Sequence, residues 1–417
     1  NGSVNSSGTL NGAANLSATG AQDVALTGAT SVTGDTTLTA GHDVVIGGTL
    51  AGQGAATLNA GHDVIAGGSS GFAKDASVTA ANDLSVTGAL QGAAVSLTAG
   101  RSVTLNNVQA NNALQVTATG GTLAVNGLVA SLSTASLSSG GDTSINGAVQ
   151  SANALSVTSG GNTSIAGSVA SNGNVTLANA AGSLTSTGNI QSGDNLLINA
   201  AQSVDLGRQG TSALGDLTVN AGQNLTMNGS VVAQGNGTLT AGGTIAGAAT
   251  AAFGLAANVS SGGDTDLTGS LRGGSVQTTA GGSASLHDVQ AASGLALASS
   301  NDLTVTGAVT GGAAVALNAG QNIVISGSIQ SANDTTLSAR SGSLSSTGTI
   351  ASNGAFNAQS GSDINLGGTT TAALDTTLSA TRDVNLTGML AGQGQGSVTA
   401  GRDIGGAGTM TFAQAAT

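Results

Sequence analysis

Aliphatic and polar residues return to one arrangement about every twenty residues: a small or polar pair, often ending in Asp or Asn, then an aliphatic residue that opens a short alternating run. Aligning on that anchor gives Val24, Val44, Val64, Leu84, Val103, Leu123, Thr143, Thr163, Leu184 and Val204, then Leu225, Ile245, Thr265, Ala284, Leu303, Ile323, Leu344, Ile364, Val384 and Ile404, at intervals of 19, 20 or 21 residues. A fixed period of this size predicts a solenoid. In one unit, Leu38 and Ala40 flank Thr39, Gly41, His42 and Asp43 interrupt, and Val44 and Ile46 alternate again; after Gly47 and Gly48, Leu50 opens a third segment. Such alternation is the strand signature, because successive side chains on a strand point to opposite faces. Each coil is therefore expected to carry three short strands joined by Gly-rich corners.

Stacking the units lines up three aliphatic rows. Two residues after the anchor the row runs through Leu26, Ile46, Val86, Leu105 and Val125; six after it, through Leu50, Leu90, Val129, Val149 and Val169; six before it, through Leu38, Leu58, Val78 and Leu97. Three such rows describe an all-β fold, a right-handed parallel β-helix of about twenty coils in which each coil pairs with the next. The hand follows from the strong preference of parallel crossovers, and β spacing gives a rod on the order of 100 Å long. Gly in every coil, at about 1 kcal/mol per helical position, excludes a helical solenoid. Glycine is expected at corners for positive φ, the missing Pro suits strands that use every N–H, and small Ser, Thr and Ala on the outside are expected to ease stacking. Residues 1–417 read as one continuous array. A longer repeat lies above the short one: SLTSTGNI at 183–190 returns as SLSSTGTI at 343–350.

Composition narrows the function. The chain has 69 Gly, no Pro, Cys, Trp or Tyr, and four Phe, at 72, 253, 356 and 412. A net charge of -12 leaves no basic surface for a nucleic-acid backbone or an anionic membrane. There is no apolar run long enough to span a bilayer, and the opening NGSVNSSGTL has neither a basic nor an apolar export region. The absence of Cys excludes a disulfide scaffold and Cys-ligated metals.

The units LTAGHDVVIGG, LNAGHDVIAGG, LTAGRSVTLNN, VNAGQNLTMNG, LNAGQNIVISG, LSATRDVNLTG and VTAGRDIGGAG resemble the haemagglutinin repeats of bacterial filamentous haemagglutinin and its relatives, the large exoproteins of two-partner secretion systems. The resemblance covers essentially the whole chain. It implies a right-handed β-helix, export through an outer-membrane two-partner-secretion transporter, and display at the bacterial cell surface, with host-cell receptors or glycans as partners. The expected function is the structural shaft of a secreted filamentous adhesin, an internal section of a longer exoprotein. The alternatives are the shaft of a contact-dependent growth-inhibition toxin and a polysaccharide-binding or polysaccharide-degrading β-helix. No secretion domain, RGD tripeptide or toxin module is recognisable in the sequence.

Candidate chemistry is sparse, and no catalytic, cofactor or metal site is expected. Asp precedes the anchor at 23, 43, 63, 83, 142, 264, 302, 363, 383 and 403. Stacked carboxylates at strand spacing can bridge Ca²⁺, but the slot also holds Ser102, Asn162, Ser183, Ser203, Asn224, Asn322 and Ser343. These share the turn-capping capacity of Asp without its charge, so turn capping is the expected role. His42 and His62 stand beside Asp43 and Asp63 in adjacent coils, a set of two His and two Asp able in principle to hold a transition metal; their slot otherwise holds Asn82, Arg101, Gln202, Gln223, Arg382 or Arg402, so it reads as a solvent-facing corner. His287 has no comparable partner. Asp264 and Asp266, near Arg272, are the best local pair for hydrolysis. No aromatic platform or inserted loop builds a cleft around them, so the chain is expected not to be an enzyme. Thr rows are too mixed with Ser, Asn and Gly for one ice-binding face.

Overall fold

A computed structural model describes residues 2–417. The protein is a parallel β-solenoid of about twenty coils and, among the described residues, contains no helix. It divides into two compact units, Asn1–Leu214 and Gly215–Thr417.

In the first unit each coil carries an anchor strand of three residues, a second short strand and a five-residue third strand, as in Val24–Leu26, Thr30–Val32 and Thr36–Ala40. Every strand pairs in parallel with its equivalent one coil away: Val24 with Val44, Val44 with Val64, and Val64 with Leu84. The stacking extends one coil before the first aligned anchor, where Val4–Ser6 pairs with Val24–Leu26. The second unit repeats the plan, with Val384–Leu386, Met389–Gly392 and Gly396–Ala400 as one coil.

Alternation decides the core. Val24, Leu26, Val44 and Ile46 are buried, and Leu38, Leu58, Val78 and Leu97 form the row on the third strand. The third strand in fact buries three rows, because its first and last residues also point inward, as Ala56, Leu58 and Ala60 do. The backbone–backbone hydrogen bonds outside the strands run mainly from one coil to the next, as where Val24 N–H donates to the Asp43 carbonyl at 2.9 Å, so stability comes from nearest-neighbour stacking.

At two places strands run straight through the first corner, and at each that corner is one residue shorter than in the coil before. Leu84–Gly92 and Val103–Ala110 each run through the first corner as one strand, with a register shift between Val86 and Ala89. Thr265–Gly273 and Ala284–Ala291 do the same, with the shift between Leu267 and Ser270. The missing residue moves the inward position, so Val108 and Val289 fill the second row five residues after the anchor instead of six.

The structure changes the expected role of glycine. Positive φ occurs only at Gly247 and Gly406 among the described residues. The row Gly28, Gly48, Gly68 and Gly88 serves close approach instead: a Cβ on Gly48 would collide with the Gly28 carbonyl, one on Gly68 with Gly48, and one on Gly88 with Gly68. Small residues are likewise not confined to the outside. Ser131, Ser151, Ser171 and Ser192 lie buried inside a corner, where Ser151 Oγ donates to the Ala154 carbonyl at 3.0 Å and Ser192 Oγ to the Asn195 carbonyl at 2.8 Å. A hydroxyl can sit there because turning backbone offers it an acceptor. Three of the four phenylalanines are matched to glycine. Phe72 faces Gly52 one coil away, the Phe253 ring fills the space a Cβ on Gly237 would need, and Phe412 does the same to Gly392 and Gly396.

Candidate functional site at the corner ladders

The corner before the anchor strand places one polar side chain per coil in a column. Asp does cap backbone there, but the N–H it accepts belongs to the next coil and not to its own turn. Asp23 Oδ1 accepts from the Asp43 N–H at 3.2 Å, Asp43 Oδ1 from Asp63 at 2.9 Å, Asp63 Oδ1 from Asp83 at 3.0 Å, and Asp83 Oδ1 from Ser102 at 2.9 Å. Asn and Ser do the same work: Asn162 Oδ1 accepts from the Ser183 N–H at 2.9 Å and Ser102 Oγ from Thr122 at 3.2 Å. In the second unit Asp302, Asn322, Asp363 and Asp383 cap Asn322, Ser343, Asp383 and Asp403.

A second ladder, not recognised in the sequence, stands at the corner before the third strand. Asn15 caps Asp35 at 2.9 Å, Asp35 caps Ala55 at 2.9 Å and Asp75 caps Ala94 at 3.0 Å; in the other unit Asp216, Asp334 and Asp375 cap Asn236, Ala355 and Gln395. Its signal was present, an Asp or Asn about eleven residues after the anchor, but the interleaved Ala55, Ala94 and Gln395 thin it out.

One stretch of the first ladder gathers side chains that can do more than cap. The imidazoles of His42 and His62 stack with centroids 4.6 Å apart and planes 5° from parallel. His42 Nδ1 lies 3.2 Å from Asp23 Oδ1 and 3.2 Å from Asp43 Oδ2, and His62 Nδ1 lies 3.1 Å from Asp43 Oδ1 and 3.2 Å from Asp63 Oδ2. Both imidazoles are about half exposed, at 51% and 43% of their side-chain surface, in keeping with a solvent-facing corner. Partial burial pushes the Asp43 carboxyl upward, but the Asp63 N–H, the His62 hydrogen bond and the neighbouring imidazoles outweigh it and hold it below the usual carboxylate value. In the second unit the same slot carries arginine. Arg382 Nη2 lies 3.2 Å from Asp363 Oδ2, and Arg402 donates to Asp383 through Nε at 2.9 Å and through Nη2. The Arg402 hydrogen bond is the main reason the Asp383 carboxyl lies below its usual value.

The remaining candidates separate. Asp264 accepts the Ser283 N–H at 2.7 Å and is a ladder residue like its equivalents. Asp266 is exposed on the strand Thr265–Gly273, and no ion pair joins Arg272 to either carboxylate among the described residues. Arg272 instead lines a shallow depression with Asp288, Gln290 and Thr310. His287 Nδ1 meets Thr306 Oγ1 at 3.1 Å. An open groove of about 540 Å³ in the first unit runs over four coil steps between exposed Leu132 and Leu214 and is lined by Gln150, Asn172 and Gln191. No helix among the described residues is long and apolar enough to cross a membrane.

The fold and these corners define a parallel β-solenoid whose polar columns mainly cap backbone. Neither a family model, nor a curated protein, nor a solved structure matches the chain.

Proposed function

We propose that this chain is the structural shaft of a secreted bacterial filamentous adhesin, which carries attachment surfaces away from the cell. The observation that supports this reading is the in-register pairing of coil after coil within each unit, as where Leu123 pairs with Thr143 and Thr143 with Thr163, while coil length stays at 19 to 21 residues. A chain that adds coils at about 4.8 Å each converts length directly into reach. It contains no cysteine to pair, so a disulfide-free strand can thread a secretion pore and wind coil by coil outside. Neighbouring repeats supply the template for each new coil.

The non-enzymatic part of the reading rests on the use already made of the best carboxylate: Asp264 is engaged with backbone and Arg272 lies with Asp288. Bacteria displaying the protein provide the test. Excising whole coils between anchors should shorten the displayed filament by about 5 Å per coil in electron micrographs and weaken attachment to host cells. Attachment unchanged by such excisions, or polysaccharide hydrolysis that disappears in Asp266→Asn, would overturn the proposal.

A further inference from the structure

The ladder at His42 and His62 has a chemical peculiarity that capping does not explain. Each Asp uses Oδ1 for the backbone of the next coil, leaving Oδ2 of Asp43 and Asp63 spare, and both spare oxygens face an imidazole Nδ1 at 3.2 Å. A nitrogen lone pair aimed at a carboxylate oxygen is repulsive, so each Nδ1 either carries a proton that it donates to the carboxylate or faces a metal ion. Among the described residues the only ion-pair partners of Asp23, Asp43 and Asp63 are these two imidazoles, which carry charge only when protonated. Where arginine fills the equivalent slot, at Arg382 and Arg402, positive charge is permanent. The histidine stretch therefore combines three carboxylates with a cation position that an external ion can fill.

We propose that His42, Asp43 and His62 bind a divalent transition ion of the zinc class. A ring nitrogen of each histidine and an Asp43 oxygen all lie within 4.8 Å of one another. A tetrahedral ion with ligand bonds of about 2.0–2.2 Å holds its donors about 3.4 Å apart, and the Asp43 carboxylate lies between the two rings, with Oδ2 3.2 Å from His42 Nδ1 and Oδ1 3.1 Å from His62 Nδ1. The rings are stacked with planes 5° from parallel, so closing the site requires the two half-exposed side chains to rotate until both ring planes meet at the ion. On binding, the ion takes each Nδ1 lone pair, the Nδ1 proton moving to Nε2 in a neutral ring or passing to solvent from a charged one, and a water takes the fourth position. Two imidazoles and a carboxylate are the donor set that such ions favour over Ca²⁺ or Mg²⁺. The corner is solvent-facing, as its sequence suggested, and its donors also converge.

The test is equilibrium dialysis of the 417-residue chain against zinc sulfate at about pH 7.5, where ligand protons compete weakly, with bound metal counted by mass spectrometry. One zinc per chain is expected, with X-ray absorption showing nitrogen and oxygen ligands at about 2.0–2.2 Å. His62→Asn should weaken binding roughly tenfold or more, and His42→Arg/His62→Arg, which copies the second unit, should abolish it with the circular-dichroism spectrum unchanged. Asp43→Asn keeps a capping oxygen but gives up the spare carboxylate oxygen, so it should also lower affinity without unfolding the coil. Zinc uptake that is absent in the unaltered chain, or that persists in the double arginine variant, would overturn the proposal.

Discussion

The same carboxylate column runs along the corner before the anchor in both units, yet the first unit sets His42 and His62 beside it and the second sets Arg382 and Arg402. The backbone work is identical: Asp43 caps Asp63 and Asp383 caps Asp403. What differs is the cation. Guanidinium brings a fixed charge and paired donors, whereas imidazole brings a charge that changes near neutral pH and a lone pair able to bind metal. The difference separates two layers of one corner. The carboxylate belongs to the fold, because removing it leaves a backbone donor without a partner, while the cation lies outside that requirement and is free to carry separate chemistry.

The strongest way to break the comparison is from beneath. Ile46→Ala and Leu386→Ala remove buried side chains under the two ladders, and each should cost about 2–5 kcal/mol in urea unfolding. Similar losses mean that the core supports both corners alike; a loss confined to one would show that corner chemistry holds its coil. Next in size is the cap. Asp43→Ala should cost about 1 kcal/mol by leaving the Asp63 N–H without its acceptor, and Asp43→Asn should restore most of it, since Asn162 and Asn322 fill the slot elsewhere. Equal losses in the two variants would mean that charge, not capping, is what the column supplies.

Acid should expose the ladders in the same direction. The Asp43 and Asp383 carboxyls are both held below their usual value. The stability they contribute is complete above the ordinary carboxylate pKa and is lost as pH falls through their lowered folded values. A urea midpoint followed from about pH 6 to pH 2 should fall in that window, and the fall should be shallower in Asp43→Asn and Asp383→Asn. The smallest effect belongs to the exchange His42→Arg/His62→Arg, which should change stability by less than about 0.5 kcal/mol, as exposed substitutions generally do. A larger change would tie the cation to the fold after all.

Much of this was legible because the period is strict. Once Val44 and Ile46 are known to alternate, the inward rows follow, and the exchange of Asp for Asn and Ser at one slot identifies capping before any coordinates are seen. The donor it satisfies was not legible: Asp43 and Asp63 are twenty residues apart, and only stacked register turns an apparent local turn into a bond between coils. Val108 and Val289 escaped for a related reason, since a corner shorter by one residue resets the count that follows it.

The sequence by itself determined the all-β solenoid, the number of residues per coil and the aliphatic rows, because period-two alternation repeated at a fixed spacing admits few other ways to bury Val, Leu and Ile. Tertiary structure decided what touches across coils. It turned glycine from a hinge into a spacer at Gly48 and Gly68 and matched Phe72 to Gly52. It also brought His42 and His62 face to face over Asp43. Those outcomes depend on register between residues about twenty positions apart, and register is fixed by the packing of whole coils rather than by any one of them.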